Sequence, residues 1–246
     1  MLPRFAFFAS SHFLFQMSAV PSDATHSALI RHMEAVQACQ RCPQMVGPPV
    51  VGRPANQGII LIGQAPGEKE PKLHRPFAWT AGKTLFLWFR THLGWTEDET
   101  RDRIYFSALC RCFPGKKPGG GDRIPTAEEI TNCRQWLEAE FALIRPRLVL
   151  LVGKMAIGQF LHPTSLNETV GKLFTLEAFG QRMDCIPLPH PSGASPWPRV
   201  EPGKSLLQQA MGLVAAHPVV RAAAALPAGT VSNEGCLSPV SHPRKS

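Results

Sequence analysis

The sharpest chemistry in this chain lies in its thiols. Cys39 and Cys42 form a Cys-x-x-Cys pair, and Cys112 and Cys133 stand far along the sequence. Two ligands from one tight turn and two from distant segments can close a four-thiolate site. On softness grounds four thiolates suit zinc and a [4Fe–4S] cluster equally. The pair alone is a weak signal, since zinc, redox chemistry and chance all produce it. Cys110 precedes Cys112 by two residues and competes for the same role. On a strand those two side chains point to opposite faces, so only one is expected to reach the site. Cys185 sits in an apolar run and reads as a core residue. Seven cysteines is an odd count, and their spacing is not that of a small secreted scaffold. A reduced compartment, the cytoplasm, is the expected setting.

Charge points to a second chemistry. Lys and Arg outnumber Asp and Glu by 26 to 18, a formal net charge of +8. An excess of this size favours polyanionic partners, of which nucleic acid is the commonest. Lys116, Lys117 and Arg123 lie in or beside the glycine-rich stretch 115–121. They can contact phosphates without sequence preference.

These residues need a frame, and the apolar pattern supplies one. Helices are expected over 27–38, 81–93, from Thr126 onward, 154–161 and 204–216. Thr126 with Glu129 has the spacing of a capping box. Continuous apolar runs at 58–63, 103–109, 147–152 and 183–188 read as buried strands. Strand–helix alternation of this kind implies a three-layer α/β/α domain around a central four-stranded parallel sheet. Ligands in such sheets bind at the carboxyl ends of the strands. The loops 63–67, 110–115 and 189–195 therefore face one crevice.

The ends of the chain differ from its middle. Residues 1–24 read as an extension rather than a targeting segment. Five Phe are present there, but a small-residue cleavage site is absent and polar residues interrupt the apolar run. Residues 25–217 form the expected domain. Residues 218–246, rich in Ala, Pro, Ser and Gly, read as a disordered tail. No run of 18 apolar residues occurs, so no membrane span is expected. A monomer is expected.

The order of short motifs carries more than any one of them. Cys39-x-x-Cys42 is followed by Gly63-Gln64-Ala65-Pro66-Gly67-Glu68, then by Arg75-Pro76-Phe77 and Ala81-Gly82-Lys83-Thr84-Leu85. Next come Cys112-Phe113-Pro114-Gly115, Pro125-Thr126-x-x-Glu129 with Cys133, and His190-Pro191-Ser192. This series, over roughly residues 27–216, resembles the uracil-DNA glycosylase superfamily, most of all its iron–sulfur family 4 branch, with family 5 close behind. The resemblance implies a [4Fe–4S] cluster on Cys39, Cys42, Cys112 and Cys133. Cys112 is preferred to Cys110 because the family's cysteine directly precedes the Pro-containing loop.

The resemblance also implies base excision from DNA containing uracil or a related deaminated base. A base inside a duplex must be flipped into a pocket. Gly63, Gln64, Ala65 and Gly67 would form one wall, with Phe77 as the stacking surface. Cleavage of the N-glycosidic bond leaves a uracil anion, and His190 can donate to its O2. Trp197 and Arg199 lie in a stretch, 193–199, that resembles the family's intercalating loop. A plain Pro-rich surface loop fits that stretch almost as well.

Two departures from the family bear on activity. Family 4 members carry an acid where Gln64 stands, and Gln cannot take a proton from water at neutral pH. They carry Asn where Ala108 stands, with Ser107 beside it, and neither residue makes the bidentate contact of an amide. Trp79 also replaces a small residue, and Glu68 or Glu70 is available as a substitute acid. A monofunctional glycosylase is therefore weighed against a lesion-binding relative without excision, and against a zinc-stapled nucleic-acid module.

Overall fold

The computed structural model describes residues 23–226, apart from 162–164 and 194. The expectations for residues 1–22 and 227–246 and for Ala194 lie outside the described residues.

The chain runs through α1 (Asp23–Gln37), β1 (Ile59–Gly63), α2 (Glu70–Leu73), α3 (Thr80–Leu93), α4 (Glu97–Arg103) and β2 (Tyr105–Ala108). It continues through α5 (Ala127–Ile144), β3 (Leu148–Val152), α6 (Lys154–Phe160), α7 (Leu166–Thr169), β4 (Phe174–Ala178) and β5 (Gln181–Leu188). A 3-10 turn at Trp197–Arg199 leads to α8 (Gly203–Ala216) and α9 (Pro218–Ala224). Local chemistry sets several of these ends. Thr126 caps α5 and Glu129 reaches back to the Thr126 backbone, the capping box expected from the spacing. Thr96 and Glu99 do the same for α4. Gly94, at φ 74°, closes α3 in the left-handed conformation.

The sheet has the order β2-β1-β3-β5-β4. β2, β1, β3 and β5 are parallel, while β4 pairs antiparallel with β5. Five strands stand where four were expected. β4 is a sheet edge with alternating burial, so it lacks the continuous apolar run that marks the other four. β2 is shorter than the 103–109 run because Arg103 ends α4.

Alternate strand residues build the two faces. Ile59, Leu61, Leu148, Leu150 and Ile186 pack with α3, α8 and α9. Ile60, Ile62, Val149, Leu151 and Cys185 pack with α1, α5 and α6, and Cys185 is a core residue as read from the sequence. Each fully buried Ile or Leu contributes roughly 1.5–3 kcal/mol. The domain also extends past residue 217. Val219, Val220 and Ala223 of α9 are buried in the first layer, and the buried Arg103 donates to the Ala223 carbonyl at 3.0 Å. The Ala- and Pro-rich composition of that stretch concealed this packing.

Because four strands are parallel, their carboxyl ends share one edge. Gly63 lies beside Ala108, and Val152 beside Leu188. From β1 the chain adds β2 on one side and then crosses to add β3 on the other, which places the topological switch point between the carboxyl ends of β1 and β3.

Candidate active site and cysteine cavity

The crevice begins at the end of β1. A β-carbon built on Gly63 would lie 3.3 Å from Phe77 Cζ, so the Phe77 ring sits directly over the strand end. Phe77 is half-buried and meets Phe106 edge-to-face, with centroids 6.0 Å apart. Its backbone is left-handed, at φ 51°, a costly conformation for a bulky residue. Several groups hold it there. Arg101, buried, donates to the carbonyls of Pro76 at 2.9 Å and Phe77 at 3.4 Å. The backbone N–H groups of Phe77 and Gly67 lie close enough to the Glu70 carboxyl to favour its charge. Gly82 leaves room for the Phe77 carbonyl, where a β-carbon would come within 1.7 Å.

Glu70 is thus buried near both pocket loops. Burial pushes its carboxyl up to about 7, against the pull of the Phe77 and Gly67 N–H groups and Arg101. Of the two acids that the sequence offered as a substitute at the site, Glu70 is buried and Glu68 exposed. From an ordinary value of 4.5 to a folded value near 7, holding the charged form costs on the order of 3 kcal/mol. That cost is absent below the ordinary value, grows as pH rises and is complete above the folded one. Urea denaturation of the parent and Glu70→Gln at pH 5 and pH 8 checks this. The stability of the variant relative to the parent is expected to rise between the two. An equal difference at both pH values would refute it.

His190 follows β5 at the same sheet edge and is exposed at the rim. Its ring lies against Gly153, where a β-carbon would be 3.2 Å from Cδ2. The lost hydration lowers its pKa below the ordinary histidine value. The Ser192 N–H donates to Nδ1 at 3.2 Å, which fixes the neutral tautomer with its proton on Nε2. Gln64 and Ala65 are half-buried beside Gly63, and Ala108 is half-buried on the neighbouring strand.

Ser107 points elsewhere. Strand alternation turns its hydroxyl to the α5 layer, where it donates to Glu140 at 2.8 Å. Glu140 also accepts from Tyr105 at 3.0 Å and Arg111 at 2.6 Å. Burial opposes its charge, but Arg111, His32 and Ser107 hold the carboxyl below the usual range. The expectation of Ser107 at the base edge is corrected accordingly.

The outer contacts are also redistributed. Lys116 pairs with Glu68 at 3.1 Å and Asp122 at 2.7 Å. Arg123 grips both oxygens of Glu129 at 2.7 and 2.8 Å. These two cations fix the loop, and Lys117 is the exposed member without an acid partner among the described residues. Trp197 is not a free wedge. Its ring packs on Gly203 at the start of α8, and Nε1 donates to Asn167 at 2.8 Å. Arg199 is exposed and donates to the Gly193 carbonyl at 3.2 Å. Trp79, by contrast, is 53% exposed at the start of α3, two residues from Phe77.

Behind the crevice the thiols come together. Cys39, Cys42, Cys110, Cys112 and Cys133 line one cavity of about 370 Å³. Both Cys110 and Cys112 reach it, against the expectation of one. The chain bends after β2, so strand alternation no longer governs their directions. Burial, then the neighbouring sulfurs of Cys133, Cys39 and Cys42, pushes the Cys112 thiol up to about 12. A metal centre bound there would displace the thiol protons. Among the described residues no three Cys, His, Asp or Glu side chains converge on a point for a single ion. Sulfurs around one cavity are a donor set that suits either zinc or a polynuclear cluster.

Residues 49–211 match the Uracil DNA glycosylase superfamily. The chain is 29% identical over 140 residues to a Type-4 uracil-DNA glycosylase of Archaeoglobus fulgidus, covering 54% of this chain and 65% of the relative. It is 29% identical over 162 residues to the Type-4 uracil-DNA glycosylase of Thermotoga maritima, covering 65% of this chain and 79% of the relative. A Type-5 uracil-DNA glycosylase of Pyrobaculum aerophilum is 29% identical over 147 residues, covering 48% of this chain and 62% of that protein. The chain thus spans just under two-thirds of the Archaeoglobus relative.

Proposed function

Since the chain belongs to the uracil-DNA glycosylase superfamily, we propose that it hydrolyses the N-glycosidic bond of uracil, or of a related deaminated base, in DNA. The observation that carries this reading is the state of His190. Its Nδ1 is occupied by the Ser192 N–H, so its Nε2–H is the donor available at the crevice. A neutral donor there stabilises the uracil anion as the bond breaks.

The flipped base stacks on Phe77. The Ala65 backbone N–H faces its polar atoms, and Gly67 permits close approach. Gln64 orients the attacking water but does not take its proton. Ala108 leaves the base edge without an amide partner, which broadens the range of bases accepted. Lys117, Arg199 and the exposed Trp79 are the candidate contacts to the strand. A [4Fe–4S] cluster on Cys39, Cys42, Cys112 and Cys133 would supply four metal–thiolate bonds joining the segment after α1, the segment after β2 and α5.

Gln64 and Ala108 favour a second reading, lesion binding without excision. DNA carrying one uracil, single- or double-stranded, separates the two when incubated with the protein and treated with alkali. Cleavage at the uracil is expected. Binding without cleavage would overturn the glycosylase reading in favour of the second.

A further inference from the structure

Two tryptophans lie near the mouth of the crevice, and they differ in what holds them. Trp197 is packed on Gly203 and bonded to Asn167. Trp79 is 53% exposed and stands one residue removed from the stacking ring of Phe77. Its backbone is firmly placed. Trp79 is extended, at φ −124° and ψ −151°, and precedes α3. Its carbonyl accepts from the Lys83 N–H at 3.1 Å. The turn before it is clamped by the Arg101 bonds to Pro76 and Phe77 and by the close fit of Gly82 on the Phe77 carbonyl. A ring on so fixed a base loses little freedom when a ligand covers it.

The helix face below Trp79 is unpartnered and basic. Lys83 and Leu87, four residues apart, share the solvent side of α3, and Leu87 is 59% exposed. Leu85, Phe86 and Phe89 take the core side. From Lys69 to Leu93 the chain carries five Lys or Arg and one acid, the buried Glu70. Lys72 and Lys83 are exposed and have no acid partner among the described residues. The next acids along the chain, Glu97 and Asp98, are engaged by Arg101 and Arg53. An aromatic face bordered by unpaired cations is complementary to a nucleic-acid strand, the ring to a base and the cations to phosphates.

We propose that Trp79 stacks on the base next to the flipped nucleotide and that Lys83 binds the adjoining phosphate, so that the corner before α3, and not the 193–199 stretch, grips the strand at the lesion. The inference rests on the glycosylase reading above and deepens it. Phe77 takes the flipped base at the end of β1, and Trp79 is the next aromatic outward along the chain. A platform that stacks any base adds affinity without sequence preference. That suits a site whose target base has arbitrary neighbours.

The test uses full-length parent, Trp79→Ala, Trp79→Phe and Lys83→Gln. The ligand is single-stranded DNA with one 2′-fluoro-2′-deoxyuridine, which resists cleavage, flanked on both sides by 2-aminopurine. Anisotropy across a salt series gives the affinity, and 2-aminopurine emission reports stacking on a protein ring. Trp79→Ala is expected to bind about tenfold or more weakly and to lose the 2-aminopurine quenching that the parent produces. Trp79→Phe, which keeps an aromatic face, is expected to stay nearer to the parent in both. Lys83→Gln is expected to keep the quenching and to lower the slope of log affinity against log salt by about 1. Parental affinity in Trp79→Ala, or quenching that survives it, would overturn the proposal. So would a parental dimer in sedimentation that Trp79→Ala dissolves, which would assign the face to a second copy of the chain. Binding and quenching as expected, with no excision from uracil-containing DNA, would instead overturn the glycosylase reading and leave the contact standing as that of a lesion binder.

Discussion

His190→Ala is expected to lower single-turnover excision of uracil by about 10²–10³-fold, the usual cost of one lost donor at a developing anion. The size of the effect follows from what the rest of the site lacks. Gln64 stands where a carboxylate would assist the water, and Ala108 stands where an amide would read the base edge. Leaving-group stabilisation then carries a larger share of the barrier. His190 suits that task, being neutral, fixed through Nδ1 by the Ser192 N–H and exposed at the rim. Gln64→Glu and Ala108→Asn, measured on the same DNA, are expected to hold or raise the rate. Full activity in His190→Ala would end the mechanism drawn here. An inactive parent revived by either of the other two changes would show which departure disarmed the site.

Gly82→Ala is expected to cost at least about 3 kcal/mol of stability, beyond ordinary overpacking, and to abolish excision with it. A β-carbon there would sit 1.7 Å from the Phe77 carbonyl oxygen, so backbone must move. That carbonyl also accepts from Arg101, and the Phe77 N–H lies close to the buried Glu70 carboxyl. The strained turn cannot relax without releasing both, and the stacking ring goes with it. Urea denaturation and the uracil assay on the same preparation check this. A variant that keeps the parental midpoint and rate would show that the turn is more pliable than its contacts imply.

The sequence was informative where one signal dominated. β1 and β3 are buried along their whole length and read as apolar runs. The Thr126–Glu129 box marked the start of α5. It was less informative where tertiary contacts decide. β4 alternates as an edge strand does, and α9 is anchored by three small apolar side chains in a stretch that reads as a tail. At the site, the Gly63 and His190 motifs follow β1 and β5 as the strand pattern implied, while Phe77 reaches the end of β1 from the loop between α2 and α3. The burial of Glu70, the commitment of Ser107 to Glu140 and the packing of Trp197 on Gly203 each depend on a partner distant in sequence or on a local backbone bend. Spacing rules do not capture these.

The stretch from Ala108 to Cys112 has a consequence for inheritance. Ala108 flanks the base pocket, Cys110 hydrogen-bonds the Gln64 carbonyl, and Cys112 faces the thiol cavity. One short piece of chain is wall to both chambers. A designer who lifts the pocket onto another scaffold must take the cysteines along or rebuild that wall. A descendant that gives up its cysteines faces the same demand, so loss of the thiols and a change in base preference are expected to be inherited together.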